Sequence, residues 1–233
     1  MLKKSITDFL KDLAIPPTCA VCGKISPDYL CRQCGSEIIS HKSIYSCRYC
    51  GRLLSGRSHD NDSEKKSICS FCRAEDYNFT VHRSYALYTG NMKKIIRKFK
   101  YKKIYNLKDI LTGFLSDVYK EYFSGKNIDC IDTVPGKHTE ILAGSFAGRH
   151  GMPFARNIVK IRKIQRQGGL GLKEREVNIL DCFKLRDCLA YRDKNILVID
   201  DVWTSGSTLK EICRIIRSGS PKKIFLLTLA RGA

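Results

Sequence analysis

Four Cys-x2-Cys pairs within the first 72 residues constrain this chain more than any other feature: Cys19/Cys22, Cys31/Cys34, Cys47/Cys50 and Cys69/Cys72. Such a knuckle puts two thiolates on one tight turn at tetrahedral spacing. Two knuckles close a four-sulfur site with no open position, which suits structural zinc rather than catalysis. Gly23, Gly35 and Gly51 stand at the knuckles, where backbone must turn tightly. The stretch has few large apolar residues, so metal binding and folding are expected to be one event. Four knuckles predict two zinc ions. Sequential pairing is the expectation. It joins Cys19, Cys22, Cys31 and Cys34 across a loop of eight residues, and Cys47, Cys50, Cys69 and Cys72 across a loop of eighteen. A cross-brace of first pair with third and second with fourth also fits. An iron–sulfur cluster takes four cysteines too, but with tighter spacings. Cys130, Cys182, Cys188 and Cys213 occur singly and read as small core residues.

Thiols kept for metal imply a reducing compartment. The N-terminal residues include Lys3, Lys4, Asp8, Lys11 and Asp12, so no secretory signal is expected. No run of about 18 uncharged apolar residues is present, which excludes a membrane-spanning helix and places the chain in the cytoplasm. Lysine and arginine number 42 against 23 acids, for a net charge of +19. A balance this basic calls for polyanionic partners: nucleic acid, phosphorylated metabolites or an anionic membrane face.

Apolar spacing divides the chain near residue 80. Residues 1–78 hold a short amphipathic helix over 5–14, the cysteine pairs and a Ser-, Asp- and Lys-rich loop over 55–67. Residues 79–233 alternate strand and helix. Tyr85–Tyr88 reads as a strand, and Met92, Ile95, Ile96 and Phe99 mark a helix face. Leu107 to Tyr122 is a longer helix and Ile128–Val134 a strand. A helix over about Thr139–His150 and a strand near Ile158–Ile161 follow. Asn195–Ile199 is a buried strand, Leu209, Ile212, Cys213 and Ile216 share a helix face, and Ile224–Leu229 is the last strand. This order implies a parallel, doubly wound sheet behind a small cysteine-rich domain.

The strongest chemical signal is Val198-Ile199-Asp200-Asp201-Val202-Trp203-Thr204-Ser205-Gly206-Ser207-Thr208. A buried strand runs into two carboxylates, a hydroxyl-rich turn and a helix start. Amides of the turn and the helix N-terminus converge on one spot with the helix dipole behind them, forming an anion nest. Thr204, Ser205, Ser207 and Thr208 add hydroxyls, and Gly206 lets backbone approach a phosphate. Asp200 and Asp201 are placed to accept hydrogen bonds from ribose hydroxyls at the carboxyl edge of a parallel sheet. A plain helix cap would use one hydroxyl, not four with two carboxylates. No G-x4-G-K-[ST] occurs, so this is not a nucleoside-triphosphate loop.

That segment resembles the phosphoribosyl-pyrophosphate (PRPP) motif of type I phosphoribosyltransferases. The longer order also has a counterpart. Cysteine knuckles are followed by Tyr88-x-Gly90, Ile95-Ile96-x-x-Phe99-Lys100-Tyr101, Val134-Pro135, Gln167-x-x-Leu170, Arg175-x-x-Asn178 and Phe183, then the PRPP loop. It resembles the competence protein ComF family of amidophosphoribosyltransferase-like proteins over roughly residues 10–230. The resemblance implies an N-terminal zinc-ribbon region, a phosphoribosyltransferase fold, PRPP with Mg²⁺ as ligand, and a part in natural transformation, helping single-stranded DNA enter the cytosol. It also implies roles. Asp200 and Asp201 would hold the ribose, and the turn from Thr204 to Thr208 the 5′-phosphate. Lys137 and Arg175 would neutralise departing pyrophosphate as the anomeric bond loosens. The family's longer segment after Val-Pro is shortened here to Pro135-Gly136-Lys137-His138-Thr139, which leaves Gly136 and Lys137 as candidate pyrophosphate contacts and His138 as a weak candidate base. Residues 162–178, basic and glycine-containing, are expected to close over the sugar.

Lys93, Lys94, Arg97, Lys98 and Lys100 crowd one short stretch beside Tyr85, Tyr88, Tyr101 and Tyr105. Cations tracking phosphates beside aromatic faces describe a single-strand DNA surface. An amphipathic helix with its lysines in water describes the same residues. Three functions are therefore open: a phosphoribosyltransferase of unknown acceptor, a catalytically weak zinc-dependent DNA-binding module, and a scaffold for other uptake proteins such as a helicase.

Overall fold

Ile196 to Ile199 and Ile224 to Leu229 are wholly buried, as strands covered on both faces must be. A computed structural model describes residues 16–40, 46–54, 68–74, 78–162 and 179–232. The expected helix over 5–14, the loop over 55–67 and the stretch with Arg175 and Asn178 lie outside the described residues. Two short helices accompany the knuckles: α1 (Arg32–Ser36) and α2 (Ser70–Ala74). Then come β1 (Val81–Leu87), α3 (Gly90–Tyr101), α4 (Lys108–Tyr122), β2 (Cys130–Thr133), α5 (Lys137–His150), β3 (Ile158–Lys160) and β4 (Phe183–Leu185). The chain ends with β5 (Asn195–Trp203), α6 (Ser207–Arg217) and β6 (Lys223–Arg231).

The main sheet has the order β1-β6-β5-β2, and each neighbouring pair is parallel. The carboxyl ends of all four strands therefore lie along one edge. The strand expected near Ile158–Ile161 does not join this sheet. It pairs antiparallel with β4 as a separate hairpin. The sequence reading missed β4, a three-residue strand too short for alternation to register.

Alternation along β5 and β6 assigns the faces. Leu197, Ile199, Phe225, Leu227 and Leu229 join Ile95, Ile96 and Phe99 of α3, Leu111 and Leu115 of α4, and Leu142 and Phe146 of α5. Ile196, Val198, Ile224 and Leu226 join Leu209, Ile212 and Ile216 of α6 on the other face. Ala20, beside the first knuckle, belongs to the α3–α5 cluster. Cys47, Cys50 and Cys69 belong to the α6 cluster. The two knuckle groups thus pack on opposite faces of one sheet. Of the single cysteines, Cys130, Cys182 and Cys213 are buried as expected, but Cys188 is exposed.

Candidate functional site

The site is built where β5 ends. Asp200 and Asp201 lie within the strand, which continues to Trp203. Asp201 leans to the α3–α5 face. Its Oδ2 accepts from Lys100 Nζ at 2.6 Å and lies 3.1 Å from His138 Nε2. Asp200 accepts the backbone N–H of Asp201 on Oδ1 at 2.8 Å. The two carboxyls are nearly buried, and their titration parts accordingly. Burial pushes Asp200 up to about 8, with the neighbouring Asp201 charge adding to it. Burial also opposes ionisation of Asp201, but His138 and Lys100 outweigh it and hold that carboxyl below its ordinary range. Asp201 is thus the more readily ionised of the two carboxyls.

A cavity of about 340 Å³ opens over this pair. Its wall includes Tyr88, Lys100, Tyr101, His138, Thr204 and Thr208, with both aspartates at its floor. At the far side, the turn into α6 is closed by Gly206, whose φ of 87° is left-handed. Gly206 at the N-cap has no side chain to cap α6, and Ser205 Oγ accepts the Ser207 N–H at 3.4 Å, which leaves the next N–H groups of the first turn for an anion. Ser205 and Ser207 bond each other through their hydroxyls at 2.9 Å. Of the four hydroxyls singled out from sequence, Thr204 and Thr208 line the cavity, while Ser205 and Ser207 brace the turn behind it.

Two of the residues singled out from sequence stand apart from this cavity or are held within it. Lys137 does not line this cavity. It is exposed, its ammonium 5.5 Å from the Tyr105 ring centroid, over a separate hollow shared with Lys108, Glu140 and Arg156. Successive helical residues point about 100° apart, so His138 and not Lys137 turns toward Asp201. Gly136 opens α5 in extended conformation, and its carbonyl accepts from Thr139 Oγ1 at 2.7 Å. Lys100 is no free nucleic-acid contact either, because it is held on Asp201. The other lysine-row residues behave as an amphipathic helix requires. Lys93, Lys94 and Arg97 are exposed, while Met92, Ile95, Ile96 and Phe99 are buried beneath them.

The cysteines separate into Cys19, Cys22, Cys31, Cys34 and Cys47, Cys50, Cys69, Cys72, with the sulfurs of each set within 4.8 Å of one another. Pairing is sequential, and the cross-brace is excluded. The sulfurs of Cys22 and Cys31 lie 3.9 Å apart and those of Cys50 and Cys69 3.7 Å apart. A tetrahedron with metal–sulfur bonds of about 2.3 Å has edges of about 3.8 Å, whereas a disulfide spans about 2.05 Å. Backbone N–H groups of Val21 and Cys31 point at Cys19 Sγ, and that of Cys69 at Cys47 Sγ, each at 3.4 Å. Such donors favour thiolate over thiol. Both sets could hold zinc. Among the described residues no other group of three or more His, Cys, Asp or Glu ligands comes together.

Comparison with known proteins follows the same division. Residues 100–233, more than half of the chain, match the model of the phosphoribosyl transferase domain. Competence protein F of Haemophilus influenzae is 24% identical over 224 residues, covering 89% of this chain and 92% of its own. Among solved structures, glutamine phosphoribosylpyrophosphate amidotransferase from B. subtilis aligns with a TM-score of 0.39 and 18% identity, covering 52% of this chain and 25% of its own. Purine phosphoribosyltransferase from Pyrococcus horikoshii aligns with 0.36 and 18%, covering 53% and 81%. The chain spans a quarter of the length of that amidotransferase.

Proposed function

The chain belongs to the phosphoribosyl transferase domain family and carries the ComF arrangement of two cysteine clusters ahead of that domain; from this premise we propose that the cavity binds PRPP. One observation carries the reading: a buried carboxyl pair and the first turn of α6, with Thr204 and Thr208, open onto the same cavity at the carboxyl edge of a parallel sheet. The α6 amides with Thr204 and Thr208 receive the 5′-phosphate. Asp201, fixed by Lys100 and His138, accepts from the ribose hydroxyls, and Asp200 offers a proton or an acceptor beside it. Lys100 and the aromatic wall of Tyr88 and Tyr101 lie where the anomeric side of the sugar faces out.

The fit for the cation is specific. Asp201 is already paired with Lys100 and His138, and among the described residues no group of three or more His, Cys, Asp or Glu ligands gathers here to cage Mg²⁺. The ion would enter with PRPP, gripped by pyrophosphate and ribose oxygens, and it would supply charge neutralisation of the leaving group. The protein's own part is to hold the ribose and exclude water as the anomeric bond loosens through an oxocarbenium-like state. His138 brings an imidazole to the floor of the site, placed to exchange a proton with Asp201 or an incoming nucleophile. The two cysteine sets hold zinc as structural ions, the chain works in the cytoplasm, and the setting is handling of incoming DNA during transformation.

Titration calorimetry with PRPP and Mg²⁺ tests the reading. Wild-type protein binds, and the double variant Asp200→Asn, Asp201→Asn loses binding by at least about tenfold. Equal binding by both proteins discards it. A second reading rests on the exposed row of Lys93, Lys94 and Arg97 beside Tyr101, whose ring is 64% exposed. Arg97 sits 5.8 Å from that ring centroid, as on single-strand stacking platforms. Charge reversal at Lys93, Lys94, Arg97 and Lys98 abolishes single-stranded DNA binding under this reading. Unchanged affinity removes it.

A further inference from the structure

The largest side chain of the PRPP-like segment does not line the cavity. Trp203, the only tryptophan in the sequence, breaks the alternation of β5. Asp201 and Val202 both lean to the α3–α5 face, and Trp203 turns to the other. It is buried there against the turn that closes the anion site. A Cβ built on Gly206 would lie 2.7 Å from Trp203 Cζ2 and 2.9 Å from Nε1. The indole is therefore the floor on which the Thr204–Thr208 turn rests, and Gly206 is glycine for two reasons, its φ and that contact.

The other side of the indole is occupied by groups tied to the second cysteine set. The His82 ring centroid lies 4.5 Å from that of Trp203. His82 is fully buried, with Nδ1 2.9 Å from the Cys50 carbonyl and Nε2 2.9 Å from Thr228 Oγ1. A carbonyl only accepts, so Nδ1 carries the proton. Thr228 stands in register with Asp200 across the β5–β6 ladder. The Arg231 guanidinium lies 5.0 Å from the Trp203 ring centroid and donates through Nη2 to Cys50 Sγ at 3.6 Å. Arg231 is 2% exposed, and its Nε and Nη1 have no hydrogen-bond partner among the described residues. A buried guanidinium with orphaned N–H groups is costly beside neutral thiols. Beside a metal tetrathiolate, which bears two negative charges, it is the counter-charge the centre needs. Among the described residues no comparable contact joins the first cysteine set to this turn. Its region meets the transferase elements elsewhere, from the Cys34 carbonyl to Asn91 at the start of α3 and through Ala20 in the α3–α5 core.

We propose that Arg231, His82 and Trp203 are positioning residues that couple the metal centre at Cys47, Cys50, Cys69 and Cys72 to the Thr204–Thr208 turn, so that occupancy of this centre, and not of the first, governs affinity for the anion. The inference rests on the PRPP reading for its ligand. Coupling of this kind is reciprocal, so ligand at the turn must also retain metal in the second centre.

The test uses the full zinc-loaded chain, with Trp203 emission as a probe that needs no ligand. Cys72→Ser, which disarms the second set, is expected to shift the emission and to weaken PRPP–Mg²⁺ binding by about tenfold, within the usual range of coupling. Cys22→Ser, which disarms the first, leaves emission unchanged and affinity within about twofold. Arg231→Lys keeps both zinc ions, counted by a metallochromic chelator, yet weakens PRPP by about fivefold. It also serves where Cys72→Ser fails to fold. On wild-type protein, saturating PRPP slows chelator-driven release of one zinc and not of the other. Equal emission and affinity in Cys22→Ser and Cys72→Ser overturn the coupling, as does wild-type affinity in Arg231→Lys. A wild-type chain that binds no PRPP discards the ligand reading, while the emission comparison still decides whether the second centre holds Trp203.

Discussion

The two cysteine sets share one spacing rule and differ in nearly everything around it. The first sits on the α3–α5 face, with Cys19 and Cys34 buried but Cys31 half-buried and Cys22 exposed to water. The second sits on the α6 face, with Cys47, Cys50 and Cys69 buried inside the core cluster that includes Trp203 and Ile212. An exposed tetrathiolate has water to solvate its charge. A buried one must find cations in the protein, and Arg231 is the one placed against its sulfur. Equal motifs therefore have unequal consequences: one centre folds a peripheral knuckle, the other is part of the core that supports the site.

The sharpest way to break this contrast is to remove one ligand from each set and compare unfolding. Cys69→Ser is expected to cost on the order of 5 kcal/mol, the scale seen for loss of a structural metal, and to lower zinc content by one. Cys22→Ser should cost less than half of that, and equal losses in chemical denaturation would show the centres to be equivalent. Next in size is Gly206→Ala. Its left-handed φ and the Trp203 contact predict about 1–3 kcal/mol of destabilisation together with loss of PRPP affinity, read by denaturation and calorimetry. A variant of wild-type stability would mean that the indole does not support the turn. Lys100→Met leaves Asp201 with His138 alone. Because the lysine is partly exposed, about 1–2 kcal/mol is expected rather than the full cost of an orphaned buried charge.

A pH dependence gives a further test. Asp200 is raised in the folded state, so its contribution to stability is complete below the ordinary carboxylate range and declines as pH rises through about 8. Between pH 6 and 9 the melting temperature should fall, and Asp200→Asn, which keeps the acceptor for the Asp201 N–H, should flatten that fall. An unchanged slope would return Asp200 to an ordinary, charged carboxylate.

Much of this was legible along the chain. The helix faces of α3, α4 and α6 and the buried strands β5 and β6 follow from local periodicity, because the residues that pack together are neighbours on one element. The four knuckles follow from spacing, since each is a local turn, whereas their sequential pairing, expected from spacing beside a possible cross-brace, is decided by the structure. The residues that complete the site were not legible in their roles. Lys100 reaches Asp201 from 101 positions away, and it reads as one more cation in a basic stretch. His138 was ranked below Lys137 because no local signal tells which of two adjacent residues faces a strand on another element. Trp203 and Arg231 looked like ordinary residues near strand ends. The orphaned guanidinium that singles out Arg231 is a property of burial, which one sequence does not display.

Chemistry and inventory were thus settled by the amino acids themselves: eight thiols in four knuckles, two adjacent carboxyls, a hydroxyl-rich turn and a glycine before a helix. Only the tertiary structure decided which face of the sheet each knuckle set occupies, which cation meets Asp201, and what lies beneath Gly206. The physical reason is range. Metal knuckles, caps and turns are made by residues a few positions apart, whereas the burial that shifts Asp200 and strands Arg231 arises only when strands and helices far apart in the chain close over them.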